Sequence, residues 1–402
     1  MKHLRIAALA AALFIALGAQ AQEAVRPEVG KPLQAAQELI KGGKYKEALT
    51  KVREADAVSG KSANEGYLVE RMRIAAASGA GDNETAAKSF EALAASGKVS
   101  AADKARMAES IAGGYYRAKD YAKAMQWGQR YFKEGGTSGS MRTLLIQSQY
   151  LSGDFAGAAR ELTAEIQAAE KSGTIPAQDR LNLLLNAAAQ LKDPGATVFA
   201  LERLVTYYPK KEYWVDLLSR MQRKPGFSDR LVLDTYRLSL ATGSMSSAAD
   251  FMEMGQLALQ AGHEAEARQV VDKGFASGVL GTGAEAERHK RLRDLVAKKI
   301  EEAKAGQAAA EAEAASAKDG NALVKLGYAK ATGGDTAKGL QMIQQGIAKG
   351  GLKRPEDARL HLGIAQVLAG DPKAQATLRS VGGTDGTADL ARLWSLYARR
   401  KS

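Results

Sequence analysis

The sequence predicts an all-α solenoid, a fold in which helix pairs stack one after another. Only 6% of its 402 residues are aromatic, and Leu and Ala are abundant, a composition typical of packed helices. Between residues 321 and 370, apolar residues recur at helical spacing in stretches separated by Gly-Gly-Asp at 333–335. Turn residues interrupt the chain near 43, 81, 119, 153, 192, 262, 334 and 370, with weaker breaks near 227 and 298. A helix-turn-helix unit that recurs at a nearly constant period indicates a solenoid.

The clearest unit shows which residues carry the repeat. The Leu-Gly pair at 326–327 recurs at 362–363, and the Gly-Asp pair at 334–335 recurs at 370–371, each 36 residues later. This pattern resembles the tetratricopeptide repeat (TPR) family, whose motif contains the Leu-Gly pair, the turn and small residues in the second helix. The resemblance implies a right-handed α-solenoid of about ten helix pairs. It also implies that the first helix of each unit lines a concave groove.

Small and aromatic residues of the repeat predict how its helices pack. Gly327 in the first helix, and Gly339 and Gly346 in the second, stand where two helix backbones must approach closely, so a large side chain there would overpack the interface. By the resemblance, Tyr45 should fill the gap between the two helices of its own unit.

The chain divides into five predicted segments. They are a signal peptide (1–21), a short disordered lead (22–30), an N-terminal TPR-like solenoid (31–283), a charged, Ala-rich helical spacer (284–319), and C-terminal repeats with a capping helix (320–402). In the spacer, a narrow apolar stripe from Leu292 to Ile300 fades into alanine, which predicts a mostly exposed helix. A coiled-coil interaction arm is the alternative, although the heptad pattern is not sustained.

The first 21 residues indicate export. Lys2 and Arg5 precede an apolar run, and Ala19-Gln20-Ala21 matches a signal-peptidase site, so cleavage is expected before Gln22. An uncleaved membrane anchor is the alternative, but the run is short for a span, and no later stretch is apolar enough to cross a bilayer. The sequence contains no Cys, which excludes disulfides, thiolate metal sites and a lipid-attachment cysteine. A periplasmic location is therefore predicted.

The net charge limits the classes of partner. The formal charge is +12, or +10 without Lys2 and Arg5. A basic chain is compatible with nucleic acid, anionic lipid or an acidic protein. Export argues against nucleic acid, and the even spread of Lys and Arg favours a solvated surface.

No catalytic, metal or cofactor site is predicted. His263-Glu264 begins like a zinc-peptidase motif, but Ala267 occupies the place of the second His, and His263 falls on a turn. The sequence has no nucleophile elbow and no phosphate-binding glycine loop. The prediction is a binding protein and not an enzyme.

By the TPR resemblance, the non-core positions of the first helices are the candidate sites for a partner. They are Tyr116, Arg117, Gln147, Tyr150, Asn182, Asn186, Gln190, Gln256 and Tyr328. Asn182, Asn186 and Gln190 follow one another at four-residue spacing, so they share a helix face and could hold the backbone of an extended peptide. The alternative is an ordinary solvated face. Tyr116 and Tyr150 are expected to face solvent as aromatic anchors.

Residues 200–402 have a more specific resemblance. Pro-Lys-Lys at 209–211, Tyr-Trp at 213–214 and the stretches at 254–280 and 323–335 are similar to the periplasmic TPR accessory protein of TonB energy-transduction systems. The insert at 284–318 departs from that pattern. The resemblance implies a non-enzymatic scaffold that holds an envelope protein. A peptide- or glycan-binding accessory subunit of an envelope enzyme or biogenesis complex is the alternative.

Overall fold

A computed structural model describes residues 24–399, and every regular element in that range is helical. The predicted signal peptide lies outside the described residues. The chain forms two compact units. Unit 1 ends at Ser172 and also includes Asn186–Asp193. Unit 2 comprises Gly173–Leu185 and the chain from Pro194 onward.

Unit 1 is a stack of four helix pairs. Its helices are α1 (Pro27–Lys41), α2 (Tyr45–Asp56), α3 (Ala63–Ala80), α4 (Asn83–Ala95), α5 (Ala101–Arg117), α6 (Tyr121–Lys133), α7 (Gly139–Leu151) and α8 (Phe155–Lys171). Each helix packs on the next, and the first helices also pack on one another, α1 on α3, α3 on α5 and α5 on α7. This contact pattern confirms the predicted solenoid.

The turns within the pairs form where the sequence predicts them. The side chains of Asp82, Asp120 and Asp154 each accept the backbone N–H three residues later, at 2.9–3.2 Å, and so cap the second helix of a pair. The residue before each Asp has a positive φ. Gly153 adopts φ 86° without strain, whereas Lys119 is held at φ 61°.

Aromatic side chains join neighbouring pairs of unit 1. Phe90 meets Trp127 edge-to-face, with ring centroids 4.9 Å apart. The Tyr45 ring lies against Gly79 of α3, where an added Cβ would come within 2.2 Å of the ring. Tyr45 therefore packs on the next pair along the chain, and not only within its own pair as predicted.

The predicted disordered lead is wrong from Pro27 onward, because α1 begins there. A proline in the first helical position starts a helix without losing a hydrogen bond, and Val29 is fully buried. This start was not predicted, because Pro27 and Val29 come before the apolar residues that mark the first repeat unit. Among the described residues, no helix has both the length and the apolarity for a membrane span.

Unit 2 continues the helix pairs and adds a long single helix. Its helices are α9 (Gln178–Leu191), which the unit boundary crosses, α10 (Pro194–Tyr207), α11 (Lys211–Gln222), α12 (Val232–Thr242), α13 (Ala248–Ala261), α14 (Glu264–Ala276), α15 (Ala286–Ser316), α16 (Asn321–Thr332), α17 (Thr336–Lys349), α18 (Pro355–Ala369), α19 (Ala374–Arg379) and α20 (Thr387–Ala398). A short 3₁₀ turn, Asp229–Leu231, leads into α12.

The predicted spacer is the helix α15, and its two halves differ. In the first half, Leu292 and Val296 are buried in one core with residues of α13 and α14. Residues 301–310 are exposed, as the fading apolar stripe predicts. Glu311 then bonds Lys330 at 2.8 Å and Lys338 at 2.7 Å, which fixes the far end of α15 on α16 and α17. The helix is thus attached to unit 2 at both ends, and most of its residues are exposed in each half.

The last helices of unit 2 close back on its first ones. Helix α20 packs on α10 and α12. The Arg230 guanidinium donates hydrogen bonds to both carboxylate oxygens of Asp357 at 2.8 Å and to Asp385 at 2.7 Å. The backbone N–H of Ser228 donates to the Asp385 carbonyl at 2.9 Å. These bonds join segments more than a hundred residues apart in the sequence.

Glycines bring α16 and α17 together backbone to backbone. A Cβ on Gly339 would lie 2.4 Å from the backbone nitrogen of Ala331, and one on Gly346 would lie 2.7 Å from the Gly320 carbonyl oxygen. A Cβ on Gly327 would lie 2.7 Å from the Gly339 carbonyl oxygen. The predicted close approach at these glycines is confirmed.

Candidate functional site

Two of the predicted site residues meet in unit 1. The Tyr116 hydroxyl on α5 donates to the Gln147 side-chain oxygen on α7 at 2.9 Å. Tyr116 and Tyr150 each pack edge-to-face on the first aromatic residue of their partner helix, Tyr121 and Phe155. Both tyrosines are therefore half-buried packing residues. The expectation that they stand free in solvent is wrong, because the repeat gives them a ring partner across the turn.

The remaining predicted residues of unit 1 and of α9 are less constrained. Arg117, Asn186 and Gln190 are exposed. Asn182 is half-buried, and its side-chain oxygen accepts a hydrogen bond from the Tyr213 hydroxyl at 3.3 Å. An amide that already bonds a neighbouring helix is less available to a peptide than an exposed one.

In unit 2, Gln256 lies in the larger of the two cavities described here, which we call the α13 groove. The groove has a volume of about 770 Å³. It is lined by Ala248, Ala249, Met252, Glu253, Gln256, Leu257 and Gln260 of α13, by Val279, Thr282, Ala284 and Glu285, and by Arg288 and His289 of α15. Since α13 is the first helix of its pair, this is the kind of face on which a partner was predicted to bind.

Two hydrogen bonds fix polar groups along the α13 groove. The Tyr236 hydroxyl donates to Glu253 at 2.9 Å, and burial together with this bond raises the pKa of Tyr236. The backbone N–H of Gly281 donates to Nδ1 of the buried His289 at 3.1 Å. In its neutral form, His289 therefore carries its proton on Nε2. Gln256 and Gln260 stand one helical turn apart and are exposed.

Tyr328 is buried among the side chains of neighbouring helices. It is 2% exposed and belongs to a buried cluster formed by Asp234, Arg237, His263, Glu266, Tyr328 and His361. Helices α12, α14 and α18 supply side chains that cover most of its ring, so a partner contact by Tyr328 stays a prediction. His361 stacks on that ring at 3.8 Å, and Arg237 lies 4.6 Å from its centroid.

Arg237 is the centre of the buried cluster. Its guanidinium bonds Asp234 at 2.5 Å and both oxygens of Glu266 at 2.6 and 2.7 Å. It also donates to Nδ1 of His263 at 3.0 Å. The Tyr328 hydroxyl donates to Asp234 at 2.5 Å, and His361 Nε2 lies 3.3 Å from the other oxygen of Asp234. Each charged group thus has charged or hydrogen-bonding partners, as burial requires.

The protonation states of the cluster follow from burial and from the Arg237 charge. Burial opposes ionisation of Glu266, but Arg237 outweighs it and lowers the pKa of Glu266 to about 2. The pKa of Asp234 is lowered in the same way, with His361 contributing. Burial raises the pKa of Tyr328. Burial lowers the pKa of His263, and the charge of Arg237 lowers it further. At neutral pH two carboxylates and one guanidinium therefore face a neutral tyrosine and a neutral His263.

The buried cluster holds four helices together. Arg237 of α12 donates to Glu266 of α14, and Asp234 of α12 accepts from the Tyr328 hydroxyl of α16 and contacts His361 of α18. Among residues 24–399, no group of His, Asp and Glu side chains is arranged to hold a metal ion. His263 does lie at the turn before α14, as predicted. The sequence did not show that its side chain is only 6% exposed and contacts Arg237. No local signal could have found the cluster, since its members come from separate repeats.

Comparisons with known proteins give little guidance. No protein-family model matches the sequence, and no curated protein matches it. The crystal structure of yeast Tom70 aligns with a TM-score of 0.25 and 11% identity, over 93% of this chain and 96% of that one. The structure of Naa15/Naa10 bound to HypK-THB aligns with a TM-score of 0.27 and 16% identity. That alignment covers 88% of this chain and 58% of the other. Similarity at this level supports no statement about function, so the fold rests on the helices themselves.

Proposed function

We propose that this chain is a non-enzymatic, exported scaffold that holds an extended segment of an envelope protein in the α13 groove. The observation that carries the proposal is the groove, an open cavity of about 770 Å³ on the first helix of a repeat unit. Ligand sites commonly have this size and combine apolar walls with a few placed polar groups. Here Met252, Leu257 and Val279 supply the apolar surface.

The polar groups of the groove suit a peptide. The exposed amides of Gln256 and Gln260 each donate and accept hydrogen bonds, which allows them to pair with the main chain of an extended segment. Glu253 and Glu285 outnumber the one cation, Arg288, so a segment with Lys or Arg beside an apolar residue fits best. No Trp, Tyr or Phe lines the groove, which disfavours a glycan, because sugars commonly stack on aromatic rings.

The envelope location rests on the sequence. The signal peptide predicted at 1–21 supports export to the periplasm. The resemblance of residues 200–402 to the TPR accessory protein of TonB systems covers the α13 groove, so a component of such a system is the first partner to test.

Photo-cross-linking tests the groove. A photoreactive residue placed at Gln256 should capture an envelope protein in living cells, because a bound segment would lie within contact of that side chain. The same residue at Arg268, which is exposed on α14, is the matched control and should capture little. The captured proteins are identified by mass spectrometry.

A second measurement uses the captured segment as a synthetic peptide. Glu253→Ala and Gln256→Ala together should weaken its binding at least tenfold, about 1.4 kcal/mol. Equal cross-linking from Gln256 and Arg268, or unchanged peptide affinity in the double variant, would place the binding surface elsewhere. The half-buried Tyr116 and Tyr150 face of unit 1 would then be the next to test.

Export is tested on the protein made in cells. Its N-terminal residue should be Gln22 or an immediate neighbour, and osmotic shock should release it, since cleavage after Ala21 removes the only apolar leader. A chain that retains Met1, or that stays with the membrane after washing in alkaline carbonate, is incompatible with a processed periplasmic protein.

A further inference from the structure

A second open cavity in unit 2, the α16–α18 cavity, has the features of an anion site. Its volume is about 280 Å³, and it lies between α16, α18 and the segment that joins α17 to α18. Tyr328, His263 and His361 of the buried cluster form part of its wall. The proposed scaffold function makes no use of this cavity.

Positive side chains dominate the cavity. Lys325, Lys353 and Arg354 line it and are exposed. Arg354 is 3.9 Å from Asp357, and within residues 24–399 neither lysine forms an ion pair. Asp357 is the one carboxylate in the lining, and Arg230 already bonds both of its oxygens. The charge of Lys353 also lowers the pKa of Asp319, which lies outside the lining. The lining itself thus holds three cationic side chains and one carboxylate.

A buried hydrogen-bond donor also opens on the cavity. Arg237 donates to Nδ1 of His263, because a guanidinium has no acceptor atom. Nδ1 also lies 3.2 Å from the Thr332 hydroxyl oxygen and 3.5 Å from Glu266. A neutral imidazole that accepts the Arg237 bond carries its proton on Nε2. His263 is 6% exposed and lines the cavity, and Nε2 has no partner among the described residues. A donor without a protein partner at a cavity wall is a place where an acceptor atom of a ligand could bind.

The start of α18 adds a third favourable feature. Helix α18 has 15 residues, begins at Pro355 and has no side-chain cap at Arg354. Pro355 has no backbone N–H, so the N–H groups of Glu356 and Asp357 are the ones left for another acceptor. The helix dipole favours negative charge at this end. Glu356 in the same turn is already engaged, since it accepts the Gly382 N–H at 2.6 Å and pairs with Arg359.

We propose that the α16–α18 cavity binds a phosphate group, held by Lys325, Lys353 and Arg354 at the rim and by the Nε2–H of His263 at the wall. A doubly charged oxyanion uses several cations and N–H donors at once. The volume exceeds that of a phosphate group alone, so the group belongs either to free phosphate or to a small phosphate monoester.

Isothermal titration calorimetry of the processed protein tests this proposal. Inorganic phosphate and glycerol 3-phosphate are the two probes, and acetate is the monocarboxylate comparison, all at low salt. We expect binding of at least one phosphate probe. Lys325→Gln and Lys353→Gln should each weaken it at least tenfold, whereas Lys373→Gln, an equal charge change at an exposed residue outside the cavity, should change the affinity less than twofold.

The outcomes separate the two sources and the competing ligand. Tighter binding of glycerol 3-phosphate supports a monoester, and tighter binding of inorganic phosphate supports the free ion. The absence of heat with both phosphates at millimolar concentration would overturn the proposal. Unchanged affinity in the Lys325 and Lys353 variants, or equal binding of acetate, would overturn it too. The three substituted lysines are exposed, and circular dichroism confirms that each variant is folded.

Discussion

Arg237→Met should lower the free energy of unfolding of unit 2 by about 3–5 kcal/mol. The substitution keeps much of the side-chain volume but removes the charge that compensates Asp234 and Glu266, both buried. The two carboxylates would then either stay ionised without their cation or take up protons, because burial raises their pKa values once Arg237 is gone. Urea unfolding, followed by the fluorescence of Trp214 and Trp394 in a Trp127→Phe background, reports on unit 2 alone.

Two further variants make the result specific to the buried cluster. Arg268→Met removes an ion pair to Asp272 whose side chains are 64% and 56% exposed, and such surface pairs contribute at most about 1 kcal/mol. Adding Glu266→Gln to Arg237→Met should recover part of the loss, because one uncompensated carboxylate is gone. If Arg237→Met and Arg268→Met shift the midpoint equally, the cluster does not hold unit 2 together.

Gly339→Ala should destabilise unit 2 by about 1–3 kcal/mol. The new Cβ would lie 2.4 Å from the backbone nitrogen of Ala331 and 2.5 Å from the Gly327 carbonyl oxygen. Both neighbours are backbone atoms, so no side chain can rotate away, and α16 and α17 must separate. The same unfolding measurement detects the loss.

Gly306→Ala is the matched control for this substitution. Gly306 lies within α15, and nothing lies within 4 Å of an added Cβ. The change should stabilise the protein by about 0.5–1 kcal/mol, because alanine loses less backbone entropy in a helix than glycine does. Opposite signs for the two Gly→Ala variants support the close approach of α16 and α17. A neutral or stabilising Gly339→Ala would mean that these helices pack more loosely.

The sequence was informative where structure depends on nearby residues. Asp caps, glycines before them and apolar spacing act over a few positions, so the turns and the helix pairs could be predicted. The close helix approach at Gly339 and Gly346 could be predicted for the same reason, because α16 and α17 are adjacent along the chain.

Contacts between distant segments explain why the burial of Tyr328 could not be predicted. Tyr328 occupies a position that faces the groove in an open repeat, but helices distant in sequence cover it here. Asp234 and His361 lie 127 residues apart, and no periodicity connects them. Gln256 was predicted from its place on a first helix and does line a cavity, but His289 on the opposite wall was missed because residues 284–319 were taken for a spacer.

The bonds that Arg230 makes to Asp357 and Asp385 bear on how unit 2 folds. An open array of repeats has low contact order, because each repeat needs only its neighbours, and it can gain structure from any point along the chain. In unit 2, α12 lacks several of its native neighbours until α18 and α20 arrive. Loop closure over more than a hundred residues precedes those contacts and slows folding. The two units, although built from the same helix pairs, thus differ in cooperativity: unit 1 can assemble in steps, whereas unit 2 depends on its last helix.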